Sequence, residues 1–452
     1  MAVTVNTAGL MSTSGFDVQG LVDQLMQAER APEQVWKDQQ STLSTQQSAL
    51  NSLSTQLTSL DSTLGSLHDL FGVFAGRMAS SSDESVVTAT AGVAATTGQH
   101  AVVVTSLASK GAYYSNTNIA TGDTALSGGS MTITVGSKAQ QVAIGGNTNT
   151  LNKLATNING LNLGVTASVI TDSSGARLSI VSSATGKAND VTINTTSDSV
   201  WAFTKASTGA DALVTVDAIP VTSASNTLGN VIPGVALNLT GQKPGVPVTI
   251  TVEPDAPRIS QAVSDFVNGY NAITKSINDQ FTYDTSSGTA GPLAGDASVR
   301  GVQQQLIQVI SGVSVPSSKL ATLRSIGITM NDDGTLALDT GTLNSALSSQ
   351  VSDVQSFFQD PTDGFATRLS TTLDSLTDSV HGPFVVDLKG IDDTQKALTQ
   401  SIDDFEDRLV LRRQQLVDQM SQVNALLQQL PTIQAQMDAM LGNLTSSSTT
   451  KK

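Results

Sequence analysis

Residues 43–67 read LSTQQSALNSLSTQLTSLDSTLGSL. Leu43, Gln46, Leu50, Leu53, Leu57, Leu60, Leu64 and Leu67 step by three or four throughout, and seven of these eight are leucine. That alternation puts them on one stripe of an α-helix, the heptad seam of a coiled coil or bundle. At 1.5 Å per residue the stripe is about 36 Å long. The residues between are mostly Ser, Thr, Gln and Asn, so the other faces are polar but nearly uncharged. A helix of this kind does not persist alone in water. The fold therefore turns on where the stripe finds its partner.

The far end of the chain offers one. Leu398, Ile402, Phe405, Leu409, Leu416, Met420, Val423, Leu427 and Leu430 keep the same rhythm over about 48 Å, with Arg412 in one seam position. Pro431 is expected to interrupt this helix, which Ile433, Met437 and Met440 resume. The closing SSSTTKK reads as a disordered tail. A first helix starts at Val18, with Leu21, Val22, Leu25 and Met26 on one face, Asp17 as its N-cap and Pro32 ending or kinking it. Residues 1–15 are small and polar and are expected to be mobile. The two terminal stripes are expected to pair with each other.

The middle has another texture. Residues 84–253 hold only 8 acidic and 7 basic residues. Short β-type runs alternate with turn pairs: Val86–Ala91, His100–Leu107, Met131–Val135, Gln141–Ile144, Val165–Ile170, Arg177–Val181, Val191–Asn194, Val235–Leu239 and Val246–Val252. One helix, Thr150 to Ile158, interrupts them. Helical periodicity returns from Ile259 to Phe281, and again at Val299–Ile310, Leu343–Phe358 and Phe365–Val380. Between them, Ile326–Leu338 alternates around Asp333-Gly334, the mark of a β-hairpin. These signals define an α+β multidomain protein. Its N- and C-terminal helices pair as a coiled-coil or helical-bundle leg, and a β-rich head of two domains is inserted.

Composition narrows function. The chain has 452 residues, 13% charged and 4% aromatic, with net charge −15 and pI near 4.4. Acidity argues against a nucleic-acid partner and an anionic membrane surface. The absence of cysteine excludes disulfides and thiolate chemistry. It also suits a chain threaded unfolded through a narrow export channel. Neither a Sec-type signal nor a transmembrane run is expected.

No constellation of residues reads as catalytic, so no enzyme activity, cofactor or metal is expected. His68, His100 and His381 are scattered. The Asn331-Asp332-Asp333-Gly334 cluster lacks acids at the first and twelfth positions of a calcium loop, where Thr329 and Thr340 stand, and reads as a turn. Thr185-Gly186-Lys187 is not a phosphate loop, since Val181 stands where its opening glycine belongs and Ala188 replaces the magnesium-binding hydroxyl. Arg412-Arg413 reads as a solvated or inter-helix pair.

The terminal motifs go further. Residues 14–32, SGFDVQGLVDQLMQAERAP, with Phe16, Asp17, Leu21, Leu25, Glu29 and Arg30, closely resemble the N-terminal signature of the bacterial flagellar filament cap family, also called flagellar hook-associated protein 2. Gly291–Arg300 (GPLAGDASVR), the hairpin Ile326–Leu338 and the helix Phe405–Leu444 are similar to the same family, and Leu161–Val191 looks like the flagellin-type repeat of its heads.

The resemblance implies a ring-like homo-oligomer, secreted by the flagellar type III apparatus to the distal filament tip. There it would help flagellin fold and insert, and prevent its loss. Implied partners are flagellin, hook–filament junction proteins and an export chaperone on the C-terminal helix. The two stripes, Leu43 to Leu67 and Leu398 to Leu427, become the expected oligomer or filament contacts. The expected domains are flexible terminal segments 1–42 and 398–452, a leg of 43–80 and 256–397, a head domain of 83–110 and 213–253, and an outer head domain of 111–212. Rival readings are a flagellin-like or hook–filament junction protein, and a host-surface adhesin, a role that is also compatible with capping.

Overall fold

The computed structural model describes residues 11–12, 15–116, 118–196, 202–284, 288–312 and 320–447. The expected mobile start and tail lie mostly outside this range. In chain order the helices are α1 (Val18–Glu29), α2 (Ala31–His68), α3 (Leu151–Gly160), α4 (Ala256–Phe281), α5 (Ala297–Ser311), α6 (Thr340–Ser349), α7 (Val351–Gln359), α8 (Phe365–Thr377) and α9 (Pro383–Ser447). The fold is α+β and separates into two compact units. One holds residues 1–68, 263–343 and 352–452; the other holds 69–262 and 344–351.

In the first unit, Asp17 caps α1 as expected, its Oδ1 accepting from the Gly20 N–H at 3.0 Å. Arg30 alone separates α1 from α2, and Pro32 falls in the first turn of α2, where a missing N–H breaks no helical bond. Leu50, Leu53, Leu57, Leu60, Leu64 and Leu67 are all at most 2% exposed, while Leu43 is half-buried.

The buried stripe of α2 also packs among the short helices. Helix α2 lies on α8 and on an early part of α9. Leu60 faces Gly269 of α4, where a Cβ would come within 3.3 Å of its Cδ1. Asp61 accepts a bond from the Ser370 hydroxyl of α8. The expected pairing of the terminal helices is present, since α1 and α2 both pack on α9, and α8 adds a further partner for α2.

Aromatic side chains, scarce in the chain, gather in this core. Phe266, Phe357, Phe358 and Phe365 pack with ring centroids 5.1 to 5.9 Å apart. Edge-on geometry at most of these contacts adds to the gain from burial.

Three helical expectations need correction. Gln350 divides the expected Leu343–Phe358 helix into α6 and α7. Helix α8 stops at Thr377 because the Asp378 carboxylate takes the Val380 and His381 N–H groups into a turn. Helix α9 starts well before Leu398 and runs through Pro431 without a break. Proline removes one N–H, and on this exposed stretch the orphaned carbonyl is solvated.

The hairpin is present, with strands Ile328–Met330 and Leu336–Leu338. Gly334 turns it at φ +82, and Asp333 braces it by accepting from the Thr335 N–H and hydroxyl. Asn271 of α4 then acts as a substitute strand: its amide accepts from the Leu336 N–H at 2.6 Å and donates to the Leu336 carbonyl at 2.8 Å.

The second unit holds two β cores. In one, a five-stranded antiparallel sheet runs in the order 219–223, 212–216, 98–106, 248–254, 77–81. It shares a core with the three-stranded sheet 227–232, 235–239, 87–91, through Val87, Val102, Val104, Val214, Leu237 and Ile250. In the other, the sheet 203–207, 112–115, 175–182, 165–172 and the sheet 191–196, 129–135, 138–144 enclose α3. Its centre is Met131, Ile133, Leu154, Ile158, Leu178 and Ile180, each fully buried. Strand 165–172 lies at a sheet edge, and the Asn159 amide covers the N–H and C=O of Ala167 there. An edge so occupied is a weaker template for unwanted pairing.

Candidate functional site: the paired chain ends

Helix α1 lies along α9. Val22, Met26, Leu409 and Leu416 are at most 7% exposed, with Val18, Leu25, Phe405, Val417 and Met420 packed around them. Trp36, at the start of α2, meets Phe405 edge-on at 5.4 Å. The antiparallel order is explicit in the polar contacts. Asp23 pairs with Arg413, Glu29 with Arg412, Arg30 with Glu406, and Gln40 with Thr399.

Charge fixes this register. The Arg30 guanidinium grips Glu406 with both prongs, at 2.6 and 2.8 Å, and reaches Glu33 at 2.7 Å. Glu33 is only 4% exposed and also holds Lys37. Donating to Glu406 raises the Arg30 pKa, and accepting from Arg30 lowers that of Glu406. Exposed ion pairs add little stability each, but a bidentate arginine fork specifies geometry. Arg412 and Arg413 are thus inter-helix ion-pairing groups.

Of the motif residues, Leu21 and Leu25 are half-buried, while Glu29 and Arg30 belong to the ionic contacts. Phe16 closes a two-residue strand paired with Met11–Ser12, and its side chain lies outside the described residues. Leu398 and Ile402 are half-buried. Val423 and Leu427, expected in a seam, are 44% and 45% exposed. Beyond Met420 the apolar residues continue through Leu430, Ile433, Met437 and Met440, all at least 48% exposed. The sequence reading overlooked Trp36, Glu33 and Glu406. The signal for Glu406 was density: residues 402–420 carry 8 charged side chains in a chain with few.

Among the described residues no group of His, Cys, Asp or Glu could hold a metal ion. His100 pairs with Asp217 and His381 with Asp378, in separate places. No helix among the described residues is long and apolar enough to cross a membrane.

Paired helical termini, an inserted β-rich head and an apolar helix left half uncovered define a structural protein built for assembly with others. The comparisons make this specific. The chain belongs to the flagellar hook-associated protein 2 family, whose N-terminal and C-terminal models match residues 14–111 and 209–432. It is 31% identical to the B-type flagellar hook-associated protein 2 of Pseudomonas aeruginosa over 68% of this chain and 71% of that one. With the A-type protein of the same species it is 27% identical over 95% and 96%. It also resembles the crystal structure of the D1-D2-D3 domains of the flagellar cap protein from Escherichia coli. There the TM-score is 0.54 at 26% identity, covering 76% of this chain and 99% of that one.

Proposed function

We propose that this chain forms the cap at the distal end of a bacterial flagellar filament. It is secreted, assembles with copies of itself, and holds arriving flagellin at the tip while it folds and inserts. The leg is the part that contacts the filament, and the head carries 111–212 as an outer domain on 83–110 and 213–253. Further partners on this reading are the hook–filament junction proteins and an export chaperone that covers the C-terminal helix before assembly.

One observation supports the reading most: Val423, Leu427, Leu430, Ile433, Met437 and Met440 form an apolar stripe along α9, each at least 44% exposed. An exposed stripe this long marks a surface meant for other molecules. Contacts made by half-buried residues are also weak enough to be exchanged, which a cap that advances with each new subunit requires. The test is complementation. Supplied to a cap-deficient strain that sheds flagellin monomers, the protein should restore filaments and label their tips. Continued shedding, or label along the whole filament, would refute the proposal.

A further inference from the structure

Two features stand at the opposite ends of α5, about 22 Å apart along its 15 residues. At its N-terminal end is a groove of about 370 Å3 between the Pro292–Asp296 loop, α2 and α9. Asp387 lines it, and its Oδ2 atom is buried without a hydrogen-bond partner among the described residues. Asp296 also lines the groove, its Oδ1 spent on capping α5 through the Ser298 and Val299 N–H groups. Val386, 60% exposed, gives the wall an apolar part, and a Cβ on Gly390 would meet nothing. A carboxylate oxygen removed from water and left unpaired is costly, so the site favours a cationic donor.

The other end of α5 supplies that chemistry. Arg324 follows the helix in a short 3-10 turn, exposed; its carbonyl accepts from the Gly327 N–H, while its guanidinium has no hydrogen bond or ion pair among the described residues. Met330, 37% exposed, lines the same shallow depression. An arginine beside an apolar side chain complements a carboxylate beside a valine.

Within one copy the length of α5 separates the two features. We propose that they meet between copies: Arg324 of one chain enters the Asp387 groove of the next. A contact between two different patches is head-to-tail, and such contacts form a ring when the rotation between copies closes. Copies that each carry a net charge of −15 repel at long range, so a local attraction at the joint matters more here than in a neutral protein. This contact deepens the cap reading and rests on its ring.

The test uses the full chain and measures assembly size by sedimentation across a concentration series. Arg324→Glu and Asp387→Arg should each raise the concentration for half-assembly at least about tenfold, because like charges then face each other. The double variant R324E/D387R, with the charges exchanged, should restore assembly. Gly390→Arg, at an open position, probes the groove without touching Asp387, and Arg324→Glu should rescue it. Wild-type protein that assembles while the single variants assemble equally well would overturn this contact and leave the ring standing. Wild-type protein that stays monomeric at every concentration would overturn both.

Discussion

Leu57→Ala and Leu427→Ala are the same chemical change at positions the heptad pattern treats alike, and the structure separates them. Leu57 is fully buried in α2, and Leu427 is 45% exposed on α9. Truncating leucine to alanine removes about three carbon groups' worth of transfer energy, roughly 2.4 kcal/mol at about 0.8 per group. The cavity left in a rigid core brings the loss to about 3–4 kcal/mol. For a helical unit of this size that lowers the melting midpoint by about 6–16 °C. Leu427→Ala creates no cavity, and its cost should stay within about 0.5 kcal/mol. Circular dichroism melts at the helical minimum give both values. Activity should run the other way. At temperatures where the L57A protein is still folded it should support filament growth, and L427A should be impaired although fully folded. If L427A melts as low as L57A, the α9 stripe has an intrachain partner and the assembly argument fails.

Arg30→Glu should release the chain ends, since Glu33 and Glu406 would then confront a third carboxylate; limited trypsin digestion should cut within 402–420 far sooner than in wild type, and unchanged cleavage would disprove the register lock. Asn271→Ala leaves the Leu336 N–H and C=O without their amide partner and should destabilise the leg by about 1–3 kcal/mol in urea unfolding. Asp333, Asp339, Asp360 and Asp378 have lowered pKa values, from bonds to Thr335 and Thr342 and to the backbone N–H groups of Asp363 and His381 respectively. Their folded pKa lies below the unfolded one, so their contribution is complete above about pH 4 and disappears as pH falls through the folded values. Melting midpoints should therefore be flat from pH 7 to about pH 5 and fall below about pH 4; a decline already under way at pH 6 would point to other groups.

What could be read from the sequence followed how local the signal is. Helices α1, α2 and α4 show their faces through period alone, and the Asp17 cap and the Gly334 turn depend on a few adjacent residues. The strands 77–81, 112–115, 203–207, 212–216, 219–223 and 227–232 escaped because Ser, Thr and Gly blur their alternation, and Pro220 argues against a strand until it is seen at a sheet edge. The contact of α2 with α8 escaped because periodicity says which face is buried, never against what. The ionic register of Arg30, Glu33 and Glu406 escaped because a contact across 376 residues leaves no spacing to read.

Helix α9 is 65 residues of continuous helix, about 97 Å of rod, with one missing rung at Pro431. A rod without a flaw transmits every displacement of its anchored end to its tip. One with a single proline bends there more readily than elsewhere. The 16 residues beyond it, about 24 Å, become a short arm that swings while the α1-clamped shaft stays still. Such a molecule can keep its footing with one part and search for the next hold with the other.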